Sequence, residues 1–223
     1  MTDLHTTVSP DDPVAAFDRL YVRHAPSLSR QTFLLSGRSD FADRAVVRAF
    51  RHAWDHWPEV AARPDPGGWV RTAAYDHALS PWHRLSPGHR RRTAAVSGPL
   101  LTALQALPPR HRRVLVLHEI VGLDLLRTAR EAEATTGAAY ARLAHARRLL
   151  GERLPEFGAA PAGERGRVLK ALALDAVAGH TPAGPPPERV RVSGERATLR
   201  LTLAGYGVTA ATAAGLAAAA LLG

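Results

Sequence analysis

The sequence predicts an all-α protein with two small helical domains. Three observations carry this. Apolar residues recur at helical spacing through both halves of the chain, no strand pattern of useful length appears, and a breaker-rich basic stretch separates the halves. Residues 1–13 are polar and acidic and read as a disordered N terminus without a secretory signal, so the expected compartment is the cytoplasm. The first helical domain spans 14–84. Within it Val46, Phe50, Ala53, Trp54 and Trp57 share one face of a helix that starts near Asp40 and stops at Pro58. "RPDPGG" (63–68) is a loop by its prolines and glycines, and another helix opens at Trp69 and ends before Pro81.

Residues 85–98 ("LSPGHRRRTAAVSG") read as a flexible linker. The second domain, 99–154, begins with a short apolar segment. Pro109 suits the first turn of a helix that continues to Val121, with Gly122 at its C-cap. A helix over 124–134 follows. Then "ATTGAAYARLAHARRLL" opens on Thr135 or Thr136 as an N-cap and buries Ala139, Leu143, Ala146 and Leu150 on one face. Helix, short turn and basic helix form the outline of a helix-turn-helix.

After Leu154 the composition shifts. Residues 155–200 read as a Pro- and Gly-rich spacer with one weak helix, a tether. Residues 201–223 carry no charge and are long enough to cross a bilayer as an Ala-rich C-terminal helix. Their strong apolar residues are few, and four glycines and three threonines erode them. The tail is a marginal membrane segment. An Ala-rich segment that is disordered or packed on the rest of the chain is the other reading.

Charge and composition restrict function. The formal net charge is +9, which favours polyanionic partners, nucleic acid above all. Arginine supplies nearly all the cations, Lys170 being the lone lysine. There is no cysteine, which excludes disulfides, thiol catalysis and cysteine-ligated zinc. His52 and His56 have a metal-compatible i, i+4 spacing. No third ligand joins them, so they read as structural and no metal or cofactor is expected. No phosphate loop, nucleophile elbow or paired catalytic carboxylates appear, which argues against an enzyme.

Two stretches then resemble a known family. "LTALQALPPRHRRVLVLHEIVGL" with "GAAYARLAHARRLL" resembles region four of bacterial extracytoplasmic-function sigma factors. "FDRLYVRHAPSLSRQTFLLSGRSDFADRAVVRAFRHAWDHW" with "GGWVRTAAYDHAL" resembles region two of the same family, in the right order. The resemblance implies a transcription-initiation protein that binds RNA polymerase core and directs it to promoters, region two reading the −10 element and region four the −35 element. It places Asp43, Arg44, Val47 and Arg48 against the polymerase clamp, and Trp69, Arg71, Tyr75, Asp76 and His77 at the −10 element. In region four it places Thr136, Ala138, Ala139 and Tyr140 toward bases, with Arg142, Arg147 and Arg148 on phosphates. An anti-sigma factor is an implied partner, and the tail adds a tether to the inner face of the cytoplasmic membrane.

The sequence also departs from the family pattern. The clamp helix has Asp43-Arg44 and Val47-Arg48 where an acidic pair and Gln-Glu are usual, and Ala132-Glu133 replaces the turn glycine before the recognition helix. These departures support an alternative, a non-initiating regulator that kept the fold and binds DNA or an anti-sigma factor.

Overall fold

The computed structural model describes residues 12–80 and 98–193, and every regular element among them is helical. Helix α1 (Pro13–Ser36) starts on Asp12, whose carboxylate accepts from the Val14 amide at 2.9 Å. It ends at Gly37, whose φ of 68° lets its amide turn back to the Phe33 carbonyl. Helices α2 (Ser39–Asp55), α3 (Trp57–Ala61) and α4 (Pro66–Leu79) complete the first block. Val46, Phe50, Ala53, Trp54 and Trp57 pack together, but on two helices rather than one: α2 ends at Asp55, and Trp57 opens α3, where Pro58 sits in the first turn. Phe17 meets Phe50, Trp54 and Trp57 edge-on, with centroids 5.1–6.0 Å apart, and Tyr21 meets Phe50 at 4.7 Å.

The second block comprises α5 (Pro99–Ala106), α6 (Pro109–Leu115), a π-helical turn (Val116–Val121), α7 (Leu125–Glu131) and α8 (Thr136–Arg153). Pro109 lies in the first turn of α6 and Gly122, with φ 86°, closes the π turn. The regular helix expected to Val121 instead widens into the π turn from Val116 onward.

Two expectations differ from the structure. The helical halves do not stand apart as separate domains, because Phe33, Leu34 and Ala42 of the first block lie in one core with Leu100, Leu104, Val114 and Leu150 of the second. A further cluster joins Leu35, Ala45 and Tyr75 to Val116 and Leu117. The stretch 155–193 is not a bare tether either. It forms α9 (Pro155–Ala159), α10 (Arg165–Val177) and a helical stretch at 187–193. Phe157, Leu169, Ala173 and Val177 enter the shared core, and Val190 is fully buried against the first block. The apolar spacing of Leu169, Ala173 and Val177 supplies the buried stripe, while the prolines only set where helices begin. Most of the linker and the whole tail at 201–223 lie outside the described residues. Among the described residues no helix is long and apolar enough to cross a membrane.

A buried guanidinium joins the blocks. Arg112, 3% exposed, donates to the Leu35 carbonyl at the end of α1, to the Gln105 side chain, and to the carbonyls of Gln105 (3.2 Å) and Leu107 (3.0 Å) at the end of α5. Gln105 in turn donates to the Leu34 (3.1 Å) and Leu35 (3.3 Å) carbonyls. The last carbonyls of a helix have no intrahelical partner, and a cation at that end also meets the negative pole of the helix dipole. Replacing Arg112 with Met should therefore cost about 3 kcal/mol, since buried acceptors lose charged donors. Urea denaturation measures it, and a midpoint unchanged from wild type would refute the role.

Burial also pushes the His180 imidazole below its ordinary pKa near 6.5, an effect that Asp43 opposes and Arg30 reinforces. The unfolded chain then takes up the proton first. The stability contributed by a neutral His180 is complete above about pH 6.5 and is lost as the pH falls below it toward the depressed folded value. Amide exchange across 178–193, corrected for intrinsic rates, should be faster at about pH 5.5 than at about pH 7.5. A His180→Gln variant, which does not titrate, should lose this dependence; retention of it would assign the effect to other groups.

Candidate nucleic-acid interface

The helix-turn-helix is built from α7 and α8. Asp124 caps α7 by accepting from the Arg127 amide at 2.8 Å, and Thr135 caps α8 by accepting from the Ala138 amide at 3.2 Å. Between the helices Glu133 has φ 48°, in the left-handed region that a glycine would occupy without strain. A side chain there costs about 1–2 kcal/mol, which the packing of the two helices offsets. The two helices pack on each other, and Thr128 and Ala129 of α7 and Ala139 and Leu143 of α8 are all buried.

The outer face of α8 is left open. Thr136, Gly137, Ala141, Ala144, His145 and Arg148 are exposed, and Tyr140 is 61% exposed. Ala138 and Arg142 are half-buried at the edges of this face, and Arg127 and Arg130 of α7 add exposed cations. His145 lies 5.0 Å from His111 of α6 by ring centroids, and its Nδ1 is 3.3 Å from the Arg148 guanidinium. Burial lowers the His111 pKa, and His145 and Arg142 lower it further. The eighteen residues of α8 span about 27 Å, with the cations toward the far end and the uncharged residues and Tyr140 at the N-terminal end.

Two predicted contact residues have other surroundings. Ala139 is fully buried and holds α8 in place rather than facing outward. Arg147 donates through Nε to Glu119 at 2.7 Å and again through Nη2, and Glu119 is only 7% exposed. The π turn carries Glu119, so the pairing was invisible from the spacing of a regular helix. Arg148 is 57% exposed and pairs with Glu152 on its own helix at 2.5 Å.

Of the residues expected at a second nucleic-acid site, Arg71 and Tyr75 are turned inward, whereas Asp76 is exposed. Arg71 forms a bidentate pair with Glu131 of α7 (2.7 and 2.5 Å), and Asp76 pairs with Arg113 of α6, which also reaches the Glu131 carbonyl at 2.5 Å. Tyr75 is fully buried and donates to Gln31 at 2.8 Å. Burial pushes its hydroxyl far above the ordinary phenol range, against the opposing pull of Arg71. Trp69 is half-buried with its ring 5.2 Å from His52, and His77 is half-buried. Arg113 and Glu131, which complete this polar bridge, carried no sequence signal, since their partners lie 37 and 60 residues away.

On α2, Asp43 receives the Ser29 hydroxyl on one oxygen and the Ala183 amide on the other. Arg44 is exposed and pairs with Asp40 at 2.8 Å, Val47 is half-buried and Arg48 is exposed. His52 and His56 contact each other at 4.5 Å, and no group of three or more metal-binding side chains occurs among the described residues.

With this geometry in place, the comparison with known families is direct. Residues 97–150 match the family described as Sigma-70, region 4. The matched region 4 segment runs from just before α5 almost to the end of α8, and so contains the whole helix-turn-helix. It supports a sigma-factor family origin, a family of transcription factors rather than enzymes, and a sigma-factor-like DNA-binding role for the second block. No curated protein matches the chain.

The two arginines of the region 4 helix should behave differently. Arg148→Ala should lower the slope of log affinity for duplex DNA against log salt by about one unit, because a released counterion is lost. Arg147→Ala should leave that slope unchanged and instead cost about 1–3 kcal/mol of stability, by stranding the buried Glu119 carboxylate. Salt titrations by fluorescence anisotropy, paired with thermal melts, separate the two. Equal slopes for all three proteins would return the face of α8 to an ordinary solvated surface.

Proposed function

We propose that this protein is a sigma factor of the extracytoplasmic-function type, which binds RNA polymerase core and directs it to promoters. The observation that carries the reading is the open, basic outer face of α8 on a capped helix-turn-helix inside the region 4 match. A helix of this kind enters the major groove with its N-terminal residues on base edges and its arginines on phosphates. Thr136, Ala138 and Tyr140 face the −35 bases and Arg142 and Arg148 the backbone. Asp43, Arg44, Val47 and Arg48 of α2 meet the polymerase clamp. Trp69, Arg71, Tyr75, Asp76 and His77 of α4 read the −10 element once the blocks have parted, because Tyr75 and the Arg71–Glu131 pair lie between them here. An anti-sigma factor is the expected antagonist. The protein works in the cytoplasm, and residues 201–223 tether it to the inner face of the membrane.

Size-exclusion chromatography of the full chain with RNA polymerase core tests this. Co-elution at micromolar concentration, and run-off transcription from a promoter selected by the complex, are the expected results. Duplex binding without any polymerase complex would replace the initiating factor with a DNA-binding regulator that kept the fold.

A further inference from the structure

The stretch 178–193 is seated along α1 and α2 by contacts of several kinds. The His180 ring stacks on Phe33 (centroids 4.5 Å apart, planes 7° apart). Its Nε2 is 2.7 Å from the Ser29 hydroxyl and its Nδ1 is 2.6 Å from the Ser39 hydroxyl. Ser29 donates to Asp43, so the neutral imidazole donates from Nε2 to Ser29 and accepts at Nδ1 from Ser39. The Ala183 amide donates to Asp43 at 3.2 Å, and Tyr21 donates to the Pro185 carbonyl at 2.7 Å. Farther on, Val190 is buried with Phe17, Tyr21 and Phe50, and Arg191 pairs with Asp18 while lying 5.7 Å from the Trp54 ring.

We propose that the α1–α2 face is a docking surface with two competing occupants, the chain's own segment 178–193 and the RNA polymerase clamp, so that the segment restrains polymerase binding. The inference rests on the polymerase-binding reading above. Asp43 is the acidic acceptor of the clamp-facing helix, and both of its oxygens are engaged, one of them by the segment itself. The Asp43 side chain is only 16% exposed, so the segment covers the approach of an incoming donor. The segment is suited to reversible seating. From 178 to 186 it has no helix, its prolines hold it extended so that little chain entropy is lost on docking, and a cavity of about 280 Å³ remains between Pro182, Pro185 and the α1 surface. Release would also loosen α10, which packs on α1, α5 and the π turn and so ties the blocks together.

Two variants undock the segment by different means. Arg191→Glu sets two carboxylates against each other, and Gly184→Ala drives a methyl to 2.6 Å from the Tyr21 hydroxyl, which holds the Pro185 carbonyl, without replacing a core residue. Each should speed amide exchange across 178–193 and bind RNA polymerase core about tenfold more tightly than wild type, because apparent affinity scales with the fraction of open molecules. Adding Asp18→Arg to Arg191→Glu restores the ion pair with its charges swapped and should return both readouts toward wild type. Faster exchange with wild-type polymerase affinity would overturn the competition and leave the sigma-factor reading intact. Faster exchange with no polymerase binding by any variant or by wild type would overturn both. Unchanged exchange in both single variants would show that these contacts do not seat the segment, and would overturn it too.

Discussion

The Arg112 guanidinium is the constraint on which the arrangement of the two blocks depends. A charged side chain leaves water only if its donors are met, and here the acceptors are the carbonyls that end α1 and α5. Both helix ends would otherwise bury orphan acceptors at the same place. Gly37 makes the junction possible. Its left-handed φ closes α1 sharply, and a side chain there would lie 3.2 Å from the Gln105 amide group that shares the acceptors with Arg112. The apolar core formed by Phe33, Leu34, Leu104 and Leu150 closes around this junction, so hydrophobic burial and polar satisfaction require the same arrangement.

Around that centre, residues suited to contact nucleic acid divide into two groups. Those on α8 face outward, because the opposite face of the helix supplies Ala139, Leu143, Ala146 and Leu150 to the core. On α4, Arg71 and Tyr75 face inward, and Arg71 and the exposed Asp76 find partners of opposite charge on α7 and α6. Breaking the Arg71–Glu131 pair would strand a charge in a largely buried interface, so this pair and the buried Tyr75 together hold the blocks to one another.

The departures from the family pattern acquire physical content in this setting. Glu133, at the place of the usual turn glycine, keeps the left-handed backbone although its side chain disfavours it. Arg44, at the place of an acidic residue, is engaged with Asp40 on the preceding turn of its own helix. The turn thus takes the left-handed conformation at a residue that carries a side chain, and the charge of Arg44 on α2 is compensated within its own helix.

Much of this was legible in the sequence. The periodic apolar faces of α2 and α8, a cap at Thr135 or Thr136, the Gly122 stop and the helix-turn-helix outline all depend on residues within a few turns of one another. Short-range spacing therefore determined them. The partners of Arg71, Arg112, Arg147 and Asp43 did not follow, because each lies on another element, and the Glu119 contact further depends on a π turn that regular helical spacing does not anticipate. The role of 155–193 was also hidden. Proline and glycine mark where helices break, and composition does not say whether the chain between the breaks has a surface to cover. The sequence by itself determined which segments are helices and which faces are apolar. Only the tertiary structure decided which cations face solvent and which face carboxylates, because charge pairing is settled by distance in space and not along the chain.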